Sequence, residues 1–268
     1  MNALNACIAA AARDRVLAGC DTLRQQLRGL SGTGEGLSKK VHDLRRFGKA
    51  VRGGCALFLL QDSAGREIQA IGRLLSGTRD ALSRRQTWLR LDWDADAALA
   101  KAIRSLLYQE SRAVIRPYPP QAIAWCLDRV DVAQQPLREL PPGDLAETLR
   151  KGLTRLQHRV FRRCGRLEQG GVADFHAARK AAKAWLGALG FLPEGLVPSD
   201  PALEQAAKWL GDENDLATLS EWLLNHGFTD RFAAGLWKTL RASRRKLQRR
   251  VIRHLPELAG WPSGLPIR

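Results

Sequence analysis

The 268 residues carry 43 Lys+Arg against 27 Asp+Glu, a formal charge of +16, and 45% of them are hydrophobic. That much apolar material supports one large core or two modest ones and excludes a basic disordered tail. Five scattered cysteines without a C-x-x-C pair exclude a disulfide framework and a zinc site, and suit a reduced cytosol. The excess charge directs attention to polyanions: nucleic acid, an anionic membrane surface or a polyphosphate.

Helical signals dominate from the start. Ala, Leu, Arg, Gln and Lys abound, and apolar residues recur at spacings of three and four. The opening MNALNACIAAAARDR lacks a positive segment ahead of its short apolar run, so it reads as an amphipathic helix over 3–29 and not as a signal peptide. Helices are expected next at 38–61, 66–89, 95–116 and 120–134. In the second half they are expected at 144–168, 173–190, 201–226 (with a break near Asp212) and 230–254. Breakers separate them: the Gly-rich 29–38 segment, the prolines at 117–120, LPPG at 140–143, the glycines at 170–171 and the 193–201 segment. No apolar run approaches the ~18 residues of a membrane span, so no membrane partner is expected. The expected fold class is all-α, two bundles joined around 131–143, with the tail after His254 as a loose cap.

Inside this pattern one arrangement occurs twice. VHDLRRFGKAVR at 41–52 supplies His42, Arg45, Arg46 and Lys49 and closes on Arg52; FHAARKAAKAWL at 175–186 supplies His176, Arg179, Lys180 and Lys183. The two are 134 residues apart, and each places basic residues three, four and seven positions after a histidine. On a helix those spacings share one face, where like charges repel. A structure that accepts this repulsion twice calls for an anionic ligand. Downstream, Arg73 corresponds to Lys208, Leu75 to Leu210 and Asp80 to Asp215 at an offset of 135, while Trp88 and Trp222 are again 134 apart. The period is too long for a solenoid repeat and reads as a duplicated half of several helices, 1–134 and 135–268.

Further basic runs lie outside the ladders. Seven basic residues and no acid occupy 150–166, and the same is true of 241–253, where Arg241, Arg245, Arg249 and Arg253 form a stripe four residues apart. Asp80 and Asp215 are placed to orient neighbouring cations through charge-assisted hydrogen bonds. The tryptophans read as core, because Trp209 corresponds to Leu74 across the repeat. Base stacking is therefore not favoured. Gly48-Lys49-Ala50 lacks the hydroxyl residue of a P-loop. His42-Asp43 invites comparison with HD-type metal phosphohydrolases, but no histidine precedes His42 to complete such a metal site. Neither a metal nor a cofactor is expected.

The doubled histidine-plus-basic ladder, with LLSGTRDAL at 74–82 and WLGDENDLATL at 209–219, resembles the CHAD family, the conserved histidine α-helical domain. The resemblance covers nearly the whole chain. It implies two pseudo-symmetric four-helix bundles packed into one unit around a basic central surface that binds inorganic polyphosphate, often at polyphosphate granules. It also implies a stand-alone, non-enzymatic binding domain, since no CYTH-type segment of alternating Glu and Lys is present. The residues assigned to polyphosphate on this basis are the two ladders with Arg52, Arg73, Arg79 and Lys208, together with Arg241, Arg245 and Arg249. Asp80 and Asp215 are assigned as orienting groups. Arg79-Asp80 fits the family's Arg-Asp ending, whereas the second half has Asn214-Asp215 preceded by Asp212 and Glu213, which weaken the anion site there or cap a helix start. Nucleic acid is the secondary candidate, and a His-dependent phosphohydrolase the third.

Overall fold

A computed structural model of the chain describes residues 3–30, 36–113, 116–197 and 200–258, without the side chains of Thr78, Arg79 and residues 255–258; of the tail after His254 expected to form a cap, 255–258 continue the last helix and the rest lies outside the described residues. The described residues form ten α-helices and a short 3-10 turn: α1 (Ala3–Arg28), α2 (Leu37–Leu57), α3 (Ala64–Leu74), α4 (Ser76–Leu89), α5 (Ala97–Ala113), α6 (Pro120–Arg138), α7 (Leu145–Cys164), α8 (Val172–Leu189), α9 (Pro201–Asn225) and α10 (Ala234–Leu258). Among the described residues, no helix is long and apolar enough to cross a membrane.

Side-chain caps account for the starts of α5 and α9. Asp96 Oδ1 accepts from the backbone N–H groups of Ala98 (2.8 Å) and Leu99 (3.1 Å) ahead of α5. Asp200 does the same for Leu203 at α9, where Pro201 takes the first helical position. Buried positions in α1 (Ala9, Ala12, Val16, Cys20, Leu23, Leu27) follow the three-four spacing that a core-facing stripe requires.

Three departures from the expected spans have physical causes. The 66–89 helix divides at Leu75, which is fully buried where the chain redirects between α3 and α4, amid the weak helix formers Gly72, Ser76 and Gly77. The break near Asp212 does not occur, and neither does a helix start there. Glu213 sits in mid-helix, 2% exposed, accepting from Arg244 Nη2 (2.7 Å) and Nε (3.0 Å) and from Gln248 Nε2 (3.0 Å) of α10. α6 runs past Pro136 to Arg138. There, buried Gln134 donates to Leu17 O (3.3 Å) and Asp21 Oδ1 (2.9 Å) and accepts from Arg24 (2.8 Å), which ties the last turn to α1.

The hydrophobic interior has two parts, and each draws on both halves of the chain. The larger joins α1, α2, α3, α6, α7, α8, the first part of α9 and Val251 near the end of α10; the smaller joins the end of α4 with α5, the second part of α9 and the first part of α10. The 134/135 boundary falls inside α6. At the centre, α2 and α8 cross with their backbones almost touching. A Cβ on Gly53 would stand 2.6 Å from Ala184 O, and one on Gly187 would stand 2.8 Å from Ala50 Cα. Ala50 and Ala184, and likewise Gly53 and Gly187, are 134 residues apart, so the contact is reciprocal at the offset of the two ladders.

The smaller core is locked by a polar cluster. Glu110 of α5 accepts from Trp222 Nε1 (2.8 Å) and Arg84 Nη2 (3.0 Å), and His226 Nε2 lies 3.3 Å away. Burial would raise the Glu110 pKa, but the hydrogen bonds from Trp222 and Arg84 outweigh it and hold the carboxyl below its ordinary value. A depressed folded-state pKa contributes stability that is complete above the unfolded value and is lost as pH falls through the folded one. Glu110→Ala is expected to cost about 1.5–3 kcal/mol at neutral pH. That loss should shrink as pH falls through the acid range, measured as urea midpoints of both proteins at several pH values.

Candidate anion-binding site

The α2 ladder is assembled by helical pitch. His42, Arg45, Lys49 and Arg52 lie three, seven and ten positions along one face. The opposite face, with Val41, Leu44, Val51 and Cys55, is held in the core, so the cations are presented outward by burial of their neighbours. Between α2 and α3 they line a recess of about 170 Å³: Arg45, Lys49, Arg52 and Arg73 surround a floor that includes Leu23, Ile68 and Ile71. Asp80 Oδ1 stands 3.9 Å from Arg45 Nη2, an ion-pair distance, on a cation that is 13% exposed. Arg46, the neighbouring ladder residue, is 78% exposed and lies 3.9 Å from Asp43. The backbone of Arg79 belongs to α4; its side chain lies outside the described residues.

Arg52 is the electrostatic centre of the recess. Burial lowers its pKa, and Arg159 and Arg73 lower it further by repulsion. Arg159 is itself lowered by burial and by Arg163, Arg155 and Arg162. The basic face of α7 thus reaches the end of the α2 ladder, brought there by a close approach of Gly152 to Leu57. Within the basic 150–166 run, composition alone does not single out Arg159. The four-residue spacing of Arg155, Arg159 and Arg163 was the signal that could have found it.

A second recess, about 410 Å³, opens at the head of the ladder between α2, α4 and α9. It contains His42, Lys39, Ser83, Gln86, Arg90 and Asp215. The residue beside Asp215 serves the other histidine: His176 Nδ1 and Asn214 Oδ1 are 2.7 Å apart. Consecutive residues of α9 therefore meet the heads of both ladders. Along α8, Arg179 is 8% exposed, Lys180 is exposed, and the Lys183 ammonium lies over Gly211 of α9. Lys208 is exposed on α9.

The α10 stripe divides. Arg241 is held by Asp230 through two hydrogen bonds, 2.8 and 3.1 Å. Arg245 and Arg249 instead line a groove with Lys246, Arg250 and Arg253. Of the tryptophans, Trp88, Trp185, Trp222 and Trp237 are buried and Trp125 and Trp209 pack against the larger core. Among the described residues, no group of three or more His, Cys, Asp or Glu side chains is placed to hold a metal ion.

Comparisons with known proteins agree on the fold. The chain is similar to the crystal structure of the CHAD domain from the plant Ricinus communis, at 20% sequence identity and a TM-score of 0.53, covering 96% of this chain and 89% of that one. No curated protein matches it. The model of the CHAD domain family matches residues 18–224. With that match spanning most of the chain, and with the helical fold found, the protein belongs to the CHAD domain family.

Proposed function

We propose that the protein binds inorganic polyphosphate, without turning it over, through the α2 recess and the basic surfaces that adjoin it, and that it does so at polyphosphate granules. One observation carries this reading. Arg45, Lys49, Arg52 and Arg73 converge on a single recess, and Arg52 is destabilised in its charged form by Arg73 and Arg159. A linear phosphate polymer relieves that repulsion along its whole length and requires only cations. Arg forks and Lys point charges suit phosphate oxygens and need no base reading. The four buried tryptophans are taken up by packing and are not stacking platforms of the kind that single-stranded nucleic acid uses.

The second ladder contributes less in this reading, because Arg179 is nearly buried. The test is a titration of the protein with long-chain polyphosphate and with duplex DNA of equal charge, at two salt concentrations and with EDTA present. Tighter binding of polyphosphate that weakens steeply with salt is the expected result. Tighter binding of DNA overturns the proposal.

A further inference from the structure

We infer that polyphosphate follows one continuous track from the α2 recess to α10, and that Arg90 is its switch point, changing partner from Asp212 to a phosphate as the polymer passes. The inference rests on the polyphosphate reading above and specifies a route that the ladders alone do not define.

The route is read from shared linings. The recess at the head of α2 contains His42 and Arg90. Arg90 also lines the next recess, between α4, α9 and α10, together with Asp212, Lys246 and Arg250. Lys246 and Arg250 in turn line the α10 groove with Arg245, Arg249 and Arg253. The ladder itself, with Arg45 one turn from His42, joins the α2 recess to the recess at its head, and from there each recess hands over to the next through a shared cation. At a helical rise of 1.5 Å per residue, the α2 stretch from His42 to Arg52 is about 15 Å long and the α10 stretch from Arg245 to Arg253 about 12 Å. A short oligophosphate therefore occupies one stretch, and only a long chain reaches both.

The weak point of the track lies where these stretches meet. Asp212 and Asp215 face it from α9, and Arg90 Nη1 lies 3.5 Å from Asp212 Oδ1. The Arg90 guanidinium also donates to Gln86 O (3.3 Å) and Thr87 Oγ1 (3.4 Å), long contacts that hold its stem along α4. Arg90 is 57% exposed and Asp212 40%, so water screens the ion pair. An exposed pair of this kind is weaker than a charge-assisted bond to a phosphate oxygen. Exchange of Asp212 for phosphate is therefore downhill when a chain is present. In its absence, Asp212 offsets the charge of Arg90. The gain from bridging is one of tethering: a chain held on α2 finds α10 at high effective concentration.

The test compares tripolyphosphate with long-chain polyphosphate on the full-length protein at fixed salt. Its variants are Arg90→Gln, the Arg245→Gln/Arg249→Gln pair, and Asp212→Asn. All three alter exposed or half-exposed side chains, and thermal melts check that each remains folded. Arg90→Gln and the α10 pair should each weaken the long chain roughly tenfold and weaken tripolyphosphate by a clearly smaller factor, since the α2 stretch still holds it. Asp212→Asn should tighten the long chain severalfold. Equal losses for both lengths, or a long chain indifferent to Arg90, overturn the track, as does weaker long-chain binding to Asp212→Asn. If wild type fails to bind either length, the polyphosphate reading itself falls, and the result is distinguishable from failure of the route alone.

Discussion

Gly53→Val is expected to destabilise the fold by about 3 kcal/mol, a fall in melting temperature of roughly 6–12 °C for a domain of this size. Gly53 is where α2 and α8 cross. A Cβ there would stand 2.6 Å from Ala184 O, 2.8 Å from Ala188 N and 3.1 Å from Gly187 C. All three are backbone atoms, so no side chain can swing aside, and the helices must separate or slide. Both helices contribute to the larger core through residues on either side of the crossing, among them Val51, Cys55, Ala182 and Trp185, so separation opens packed apolar contacts along its length. Replacing glycine inside a helix otherwise gains about 1 kcal/mol. Gly72 of α3, with nothing within 4 Å of its Cβ position, isolates that gain. Gly72→Ala should therefore melt at or above wild type while Gly53→Val melts well below it. A Gly53→Val protein as stable as Gly72→Ala would mean that the crossing is loose.

The sequence made the helices legible because their signals are local. Leu23 and Leu27 repeat the spacing of Val16 and Cys20, and Asp96 and Asp200 stand directly before the helices they cap. What was not legible depended on partners remote in sequence. The unbroken course of α9 through Asp212 and Glu213 relies on Arg244, 31 residues away on α10. The turn at Leu75 reflects the core it enters as well as the weak formers around it. The same division holds at the site. His42, Arg45 and Lys49 share a face by spacing alone, but Arg159 joins Arg52 only because α7 closes on the end of α2. Arg241 cannot be told from Arg245 by its place in the stripe. Asp230, on the connection before α10, captures Arg241, and Arg245 is left to the groove.

Arg52→Met separates binding from folding, and its two effects are expected to have opposite signs. In the free protein, burial, Arg159 and Arg73 all act against the charged guanidinium. A folded-state pKa below the unfolded one, for a cation, means that the charge opposes folding at neutral pH. Methionine retains an unbranched apolar stem that can lie beside Gly65, where the Arg52 Cγ already packs. The free variant should therefore melt at or above the wild-type temperature. With polyphosphate present the order should reverse. The ligand loses a charge-assisted contact worth about 1.5–3 kcal/mol, or roughly 10–150-fold in affinity. The logarithmic salt slope should become shallower by about one, since one fewer counterion-releasing contact is made. Melting curves with and without long-chain polyphosphate, and titrations at several salt concentrations, read both effects on one preparation. If the free variant melts far below wild type, Arg52 is a structural residue and its charge is satisfied within the fold. If affinity and salt slope are unchanged, the polymer bypasses the recess. Repulsion among Arg52, Arg73 and Arg159 would then have to be relieved by something other than a bound phosphate.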